Sequence, residues 1–134
     1  MNKSIWLTRF LGIAGVLESL TALALLASPS RVASILLQSP LDAPAEVVGR
    51  IAGAGLLSLG IACWLSRKTP LTPAGLGVAW ALLAYNFIAC VTLACAGAAM
   101  ASGGIPALGA SVLHGLFGVV LLATLIRPHG TELK

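Results

Sequence analysis

Four strongly polar side chains lie in segments that are otherwise apolar. Glu18 occurs in GVLESLTAL, Arg50 in GRIAG, Asn86 in AYNF and His114 in VLHG. A charged side chain at mid-membrane costs roughly 2.5 to 3.5 kcal/mol on translocon scales, so a carboxylate there must find a cation, accept hydrogen bonds or become protonated. These residue types indicate either proton handling or a polar pocket that holds the head of an amphipathic ligand.

The polar residues reach a similar depth if their segments are membrane-spanning helices. At the rise of an α-helix, Glu18 and Asn86 each lie about 20 Å from the predicted inner surface, and His114 lies about 12 Å below the outer one. Arg50 starts about 8 Å below the outer surface, and its long side chain can reach inward or snorkel out. We therefore predict one ligand or proton site formed by Glu18, Arg50, Tyr85, Asn86 and His114.

The partner of Arg50 has two candidates. A pair with Glu18 would compensate the acid in the membrane, and we favour it. The alternative is a local pair with Glu46, four residues earlier on the same helix, in the favourable order for an ion pair. A purely structural role for the whole cluster also stays open, because polar contacts between membrane helices each contribute on the order of 0.6 kcal/mol.

Composition identifies the elements that must position this site. The chain is 58% hydrophobic and 9% charged, with a mean hydropathy of +1.00, and residues 69–126 contain no Lys, Arg, Asp or Glu. We predict an all-α integral membrane four-helix bundle, a single domain over 1–134. A short interfacial helix should lie between the first two spans, because Val32, Ile35 and Leu36 share one helical face, and the alternative is an ordinary amphipathic loop. The predicted spans are 5–27, 45–66, 73–97 and 106–126.

Charge distribution predicts the orientation. Six of the eight basic residues fall on the side of the chain termini, whereas Arg31 and Arg50 fall on the opposite side. By the positive-inside rule both termini are cytoplasmic, and Trp6 and Trp64 fall near the same boundary. We predict a multi-pass protein of a bacterial inner membrane.

Several site classes lack their sequence signatures. Cys63, Cys90 and Cys95 show no metal-ligand spacing, and His129 follows the last span, so neither a metal nor a haem is predicted. No catalytic motif appears, no cofactor is indicated, and we favour a non-catalytic role. The basic residues are scattered and predict no nucleic-acid partner.

One stretch carries a family resemblance. VVGRIAGAGLLSLGIACWLSR contains Arg50, Gly53, Leu56 and Gly60, and it resembles the second span of small four-helix bacterial membrane proteins grouped as DoxX-like. The resemblance implies a four-helix bundle and, for some relatives, a membrane subunit beside a quinone-linked redox complex. It supplies no catalytic residues to transfer.

Two functional hypotheses follow. The first is a non-catalytic inner-membrane protein that self-associates or serves as an accessory subunit of a larger membrane complex, because small residues flank the polar ones and allow close helix packing. The alternative is a small proton-coupled transporter, or a membrane protein that binds a quinone-like or lipid-like amphipathic ligand. The partners considered are therefore the bilayer, a second copy, a larger complex and an apolar small molecule.

Overall fold

The described part of the chain is entirely helical. A computed structural model describes residues 3–101 and 103–127, and these residues form five helices and no strand. Four of the helices are long and apolar enough to cross a membrane. The predicted all-α four-helix bundle with a short additional helix is confirmed, whereas His129 lies outside the described residues. The helices are α1 Lys3–Ala27, α2 Pro29–Leu36, α3 Ala43–Ser66, α4 Pro73–Ala99 and α5 Ile105–Ile126.

Local sequence signals explain where the long helices begin. Asp42 caps α3 by accepting a 2.9 Å hydrogen bond from the backbone N–H of Ala45. Thr72 caps α4 in the same way, with a 3.2 Å bond from the N–H of Gly75. Gly104 precedes α5 in the left-handed region, at φ 51°, which a side chain would disfavour. Each of these helices also has a proline in its first turn, where the missing N–H is not needed.

The long helices pack as two tight pairs. α1 lies mainly against α3, and α4 lies mainly against α5, while the contacts of α1 with α5 and of α3 with α4 are sparse. Glycine makes the first pair close: a Cβ atom on Gly60 would lie 3.0 Å from the carbonyl oxygen of Gly15, and one on Gly53 would lie 3.1 Å from that of Ala22. The small-residue faces are thus used inside the chain, between its own helices.

Two ends of the bundle can be distinguished. At the end where the chain enters α1, which we call the Lys3 end, the Lys3 ammonium donates to the carbonyl oxygens of Leu125 at 2.7 Å and Arg127 at 3.1 Å. The opposite end carries α2, and we call it the α2 end. There α2 contacts α1, α3 and α5, with Pro29 and Ala33 buried. Because α2 touches both helix pairs, it covers part of this end of the bundle.

The apolar core fills only part of the bundle. Its buried residues all come from the Lys3 half of their helices, and the wide outer faces carry large apolar side chains suited to lipid. The described residues of the half nearer α2 form no comparable apolar cluster. The core residues are Leu7, Leu11, Ala14, Cys63, Ala79, Leu82, Leu83, Leu121 and Leu125.

Candidate functional site

A cleft opens where the core stops. It lies between α1 on one side and the α4/α5 pair on the other, and it has a volume of about 290 Å³. Its walls are mainly apolar, but they include four of the five residues of the predicted site and one threonine. The lining residues are Ala14, Leu17, Glu18, Thr21, Tyr85, Asn86, Ala110, Leu113, His114 and Phe117.

Glu18 lines this cleft without a partner. It is 8% exposed, and no hydrogen bond or salt bridge joins its carboxyl group to another residue of the described ranges. Buried carboxyl groups are normally paired or hydrogen-bonded, because an unsatisfied one costs stability. Among the described residues that line the cleft, Glu18 is therefore the one whose carboxyl group lacks a hydrogen-bond or ion-pair partner.

Asn86 fixes the imidazole of His114. The Asn86 amide nitrogen donates to the backbone oxygen of Leu82 at 2.9 Å, which leaves its side-chain oxygen to face His114 Nδ1 at 3.0 Å. Because an amide oxygen can only accept, Nδ1 must carry the proton. The remaining ring nitrogen of neutral His114, Nε2, is then an acceptor, so the imidazole adds a second acceptor beside the Glu18 carboxyl group.

Aromatic rings complete the cleft. The ring of Tyr85 meets that of His114 edge to face, with centroids 5.6 Å apart. Toward the Lys3 end, Phe117 packs on Phe10 across the α1/α5 seam, with centroids 5.2 Å apart. Tyr85 also lines a second cleft of about 370 Å³ between α3 and α4, so its side chain lies between the two openings.

Arg50 does not lie in this cleft, and the favoured pairing with Glu18 was wrong. Its guanidinium is 3.2 Å from the Glu46 carboxylate, one helical turn away, and its side chain is 46% exposed. Arg50 lies about 10 Å along the helix from the α2 end of α3. Extending its long side chain toward that end costs less free energy than burying the guanidinium in the apolar interior. The structure has the local alternative, and four of the five predicted site residues, Glu18, Tyr85, Asn86 and His114, come together.

The apolar part of the lining was not predicted. Leu17, Leu113 and Phe117 hold positions that the sequence shows as ordinary membrane residues. For Phe117 the available signal was helical spacing, because it follows His114 by three residues and so shares its face. Leu17 and Leu113 directly precede Glu18 and His114, and adjacent residues lie about 100° apart around a helix, so spacing did not indicate them.

A second set of bonds holds the α4/α5 wall together. The Ser111 hydroxyl donates to the Cys90 carbonyl oxygen at 2.8 Å and lies 3.5 Å from the Cys90 sulfur. A Cβ atom on Gly115 would lie 3.2 Å from the same sulfur, so the helices are close here. In the described ranges no three His, Cys, Asp or Glu side chains are grouped as metal ligands would be.

Fold and site together define a four-span membrane protein with a partly polar cleft at mid-depth. Comparison with known proteins gives no matching family, no matching curated protein and no matching solved structure.

Proposed function

We propose that this protein binds an amphipathic small molecule in the cleft between α1 and the α4/α5 pair. The observation that most directly supports this is that Glu18, a residue only 8% exposed, lines the cleft and has no hydrogen-bond or ion-pair partner for its carboxyl group among the described residues. The head of the ligand would meet Glu18 and His114, and its apolar part would pack on Leu113 and Phe117. The cleft volume of about 290 Å³ is close to the lower end of the usual range for small-molecule sites.

A structural role for Glu18 is poorly supported by its surroundings. A polar side chain stabilises a membrane bundle by bonding to a neighbouring helix, as Asn86 and His114 do. Glu18 makes no such bond in the described ranges. A group that costs stability without joining helices is typical of a binding site, where the ligand supplies the missing partner.

Entry from the bilayer fits this arrangement. Glu18 lies about 14 Å from the α2 end of α1, well inside the spans, and α2 packs across that end. The sparse contacts between the two helix pairs leave an opening along their seam, beside lipid. An amphipathic molecule already dissolved in the membrane would reach the cleft sideways.

The setting we propose is a bacterial inner membrane with cytoplasmic termini. The Lys3 end carries Lys3, Arg9, Arg67, Lys68 and Arg127, an excess that the positive-inside rule places in the cytoplasm. Membership in the DoxX-like group remains a proposal that rests on the motif in α3. Proton-coupled transport would use the same site, with Glu18 as the group that exchanges a proton.

The test of binding uses a filled cleft and a matched control. Ala110 lines the cleft, and Val112 on the same helix is 60% exposed and does not. Protein purified gently from native membranes is extracted with organic solvent, and the extract is analysed by mass spectrometry. We expect the wild type and Val112→Phe to carry an amphipathic compound above the lipid background, and Ala110→Phe to lose it. Equal extracts from all three would refute a ligand in this cleft.

Self-association or an accessory role is the second candidate, and the other cleft favours it. This cleft is lined by Ala52, Gly55, Leu56, Leu59 and Tyr85, and a Cβ atom on Gly55 would meet nothing within 4 Å. Ala52 and Gly55 form a small-residue patch in this cleft, and such a patch lets a helix from a second chain approach closely. Native mass spectrometry of wild type and Gly55→Leu tests it: an oligomer that Gly55→Leu dissociates supports the role, and a monomer in both cases opposes it.

A further inference from the structure

We propose that the ligand of the cleft is a lipophilic cation whose head is an ammonium group, and that Glu18 is its counter-ion. This inference rests on the proposed binding function and names the chemical class of the ligand. It comes from the balance of hydrogen-bond donors and acceptors in the cleft and from the positions of the charges in the described chain.

The polar lining of the cleft has more acceptors than donors. Glu18 offers two carboxyl oxygens, and the bond to Asn86 leaves Nε2 of neutral His114 as an acceptor. One of the two N–H groups of the Asn86 amide donates to the Leu82 carbonyl oxygen, so the amide retains one donor. Tyr85 supplies one hydroxyl that can act either way. A ligand head that complements this set must bring donors, and an ammonium group brings up to three.

No cation of the described residues pairs with Glu18. The described cations lie near the two ends of the bundle, and Arg50, the nearest to mid-depth on α3, is paired with Glu46. Of the other described acids, Asp42 caps α3 and Glu46 pairs with Arg50. Glu18 is therefore the one described acid that lines the cleft. A carboxylate at this depth favours a positive group strongly, because charges interact more strongly away from water.

The aromatic lining suits the same ligand class. Tyr85 and Phe117 both face the cleft, and aromatic rings attract ammonium groups through their negative faces. The remaining walls, Leu17 and Leu113, accept an apolar body. A quinone, whose ring oxygens only accept hydrogen bonds, matches the cleft less well, since its carbonyl groups would face the acceptors on Glu18 and His114.

The test compares three probes that share one carbon skeleton. These are 4-phenylbutylammonium, the neutral 4-phenylbutanol and the anionic 4-phenylbutanoate, and their affinities are measured by calorimetry on the full chain in an uncharged detergent. We expect the ammonium probe to bind about tenfold or more tightly than the alcohol, because a bond to a charged group contributes more than a neutral one. The carboxylate probe should bind most weakly.

Two glutamate variants locate the preference. Glu18→Gln keeps the size of the side chain and removes its charge, so it should abolish the preference for ammonium while the alcohol still binds. That retained binding also shows that the variant is folded. Glu46→Gln removes a carboxylate outside the cleft and should leave the preference unchanged.

The outcomes separate this inference from the proposed function. If the alcohol binds the wild type as tightly as the ammonium probe, and Ala110→Phe blocks both, the cleft binds ligands but the cation assignment is refuted. A preference that survives in Glu18→Gln also refutes it. If no probe binds the wild type, or Ala110→Phe changes nothing, the proposed function fails as well.

Discussion

Replacing Glu18 by leucine should stabilise the empty protein. Glu18 is 8% exposed, and its carboxyl group has no partner among the described residues, so the folded protein bears the cost of placing it in the bundle. Translocon scales assign about 2.5 to 3.5 kcal/mol to a charged residue at a helix centre and about −0.3 to −0.6 kcal/mol to leucine. The difference sets an upper limit of about 3 to 4 kcal/mol, and we expect a gain of at least about 1 kcal/mol.

The assay is equilibrium unfolding of ligand-free protein by sodium dodecyl sulfate in mixed micelles, followed by tryptophan fluorescence. Glu46→Leu is the control, because it removes a partly exposed salt bridge and should change the unfolding free energy by less than about 1 kcal/mol. The reasoning fails if Glu18→Leu does not raise the unfolding free energy. A loss of about 1 kcal/mol or more would mean that Glu18 bonds within the bundle and has a structural role.

Three further changes test the packing and the polar bonds. Gly60→Ala should lower the unfolding free energy by about 1 to 3 kcal/mol relative to Gly55→Ala. Both variants gain helix propensity, but only Gly60→Ala forces a Cβ atom against a neighbouring backbone. Equal stabilities of the two variants in the same unfolding assay would contradict this. Nitrogen-15 NMR should show His114 protonated at Nδ1 in the wild type, and Asn86→Ala should lose that signal; a wild-type proton on Nε2 alone would contradict the assigned tautomer. Glu46→Gln should leave the unfolding free energy within about 1 kcal/mol of wild type, and a larger loss would show that its pair with Arg50 is more than a surface contact.

The spans were predictable because hydropathy reports them directly. The long charge-free run over 69–126 leaves room for two helices, and proline and glycine mark their ends. Capping by Thr72 followed from its position before a proline, and the structure shows the bond to Gly75. Such features depend on residues close together in the chain, so one sequence is sufficient to locate them.

The shared level of Glu18, Asn86 and His114 along the bundle was also predictable, but rotation about each helix axis was only partly so. All three line one cleft because the small neighbours of each residue indicate the packed face of its helix. For α3 the packed face is set by Gly53 and Gly60 against α1, and the sequence did not reveal which way the Arg50 side chain extends from it. A flexible side chain near a helix end has two partners within reach, and only the tertiary arrangement decides between them.

The position of the cleft follows from where the small residues lie. Gly15 and Gly60 bring α1 and α3 together, and Gly115 brings α5 against Cys90 of α4, so close approach occurs inside each pair and not across the seam. Large core residues fill the seam only in the Lys3 half, ending near the contact of Phe10 with Phe117. Beyond that point the α1/α3 and α4/α5 pairs are too far apart for backbone contact, and the apolar side chains do not fill the space between them, which is the cleft. Glu18 lies at the start of this space and is unpaired among the described residues, which is the arrangement that the proposed ligand site requires.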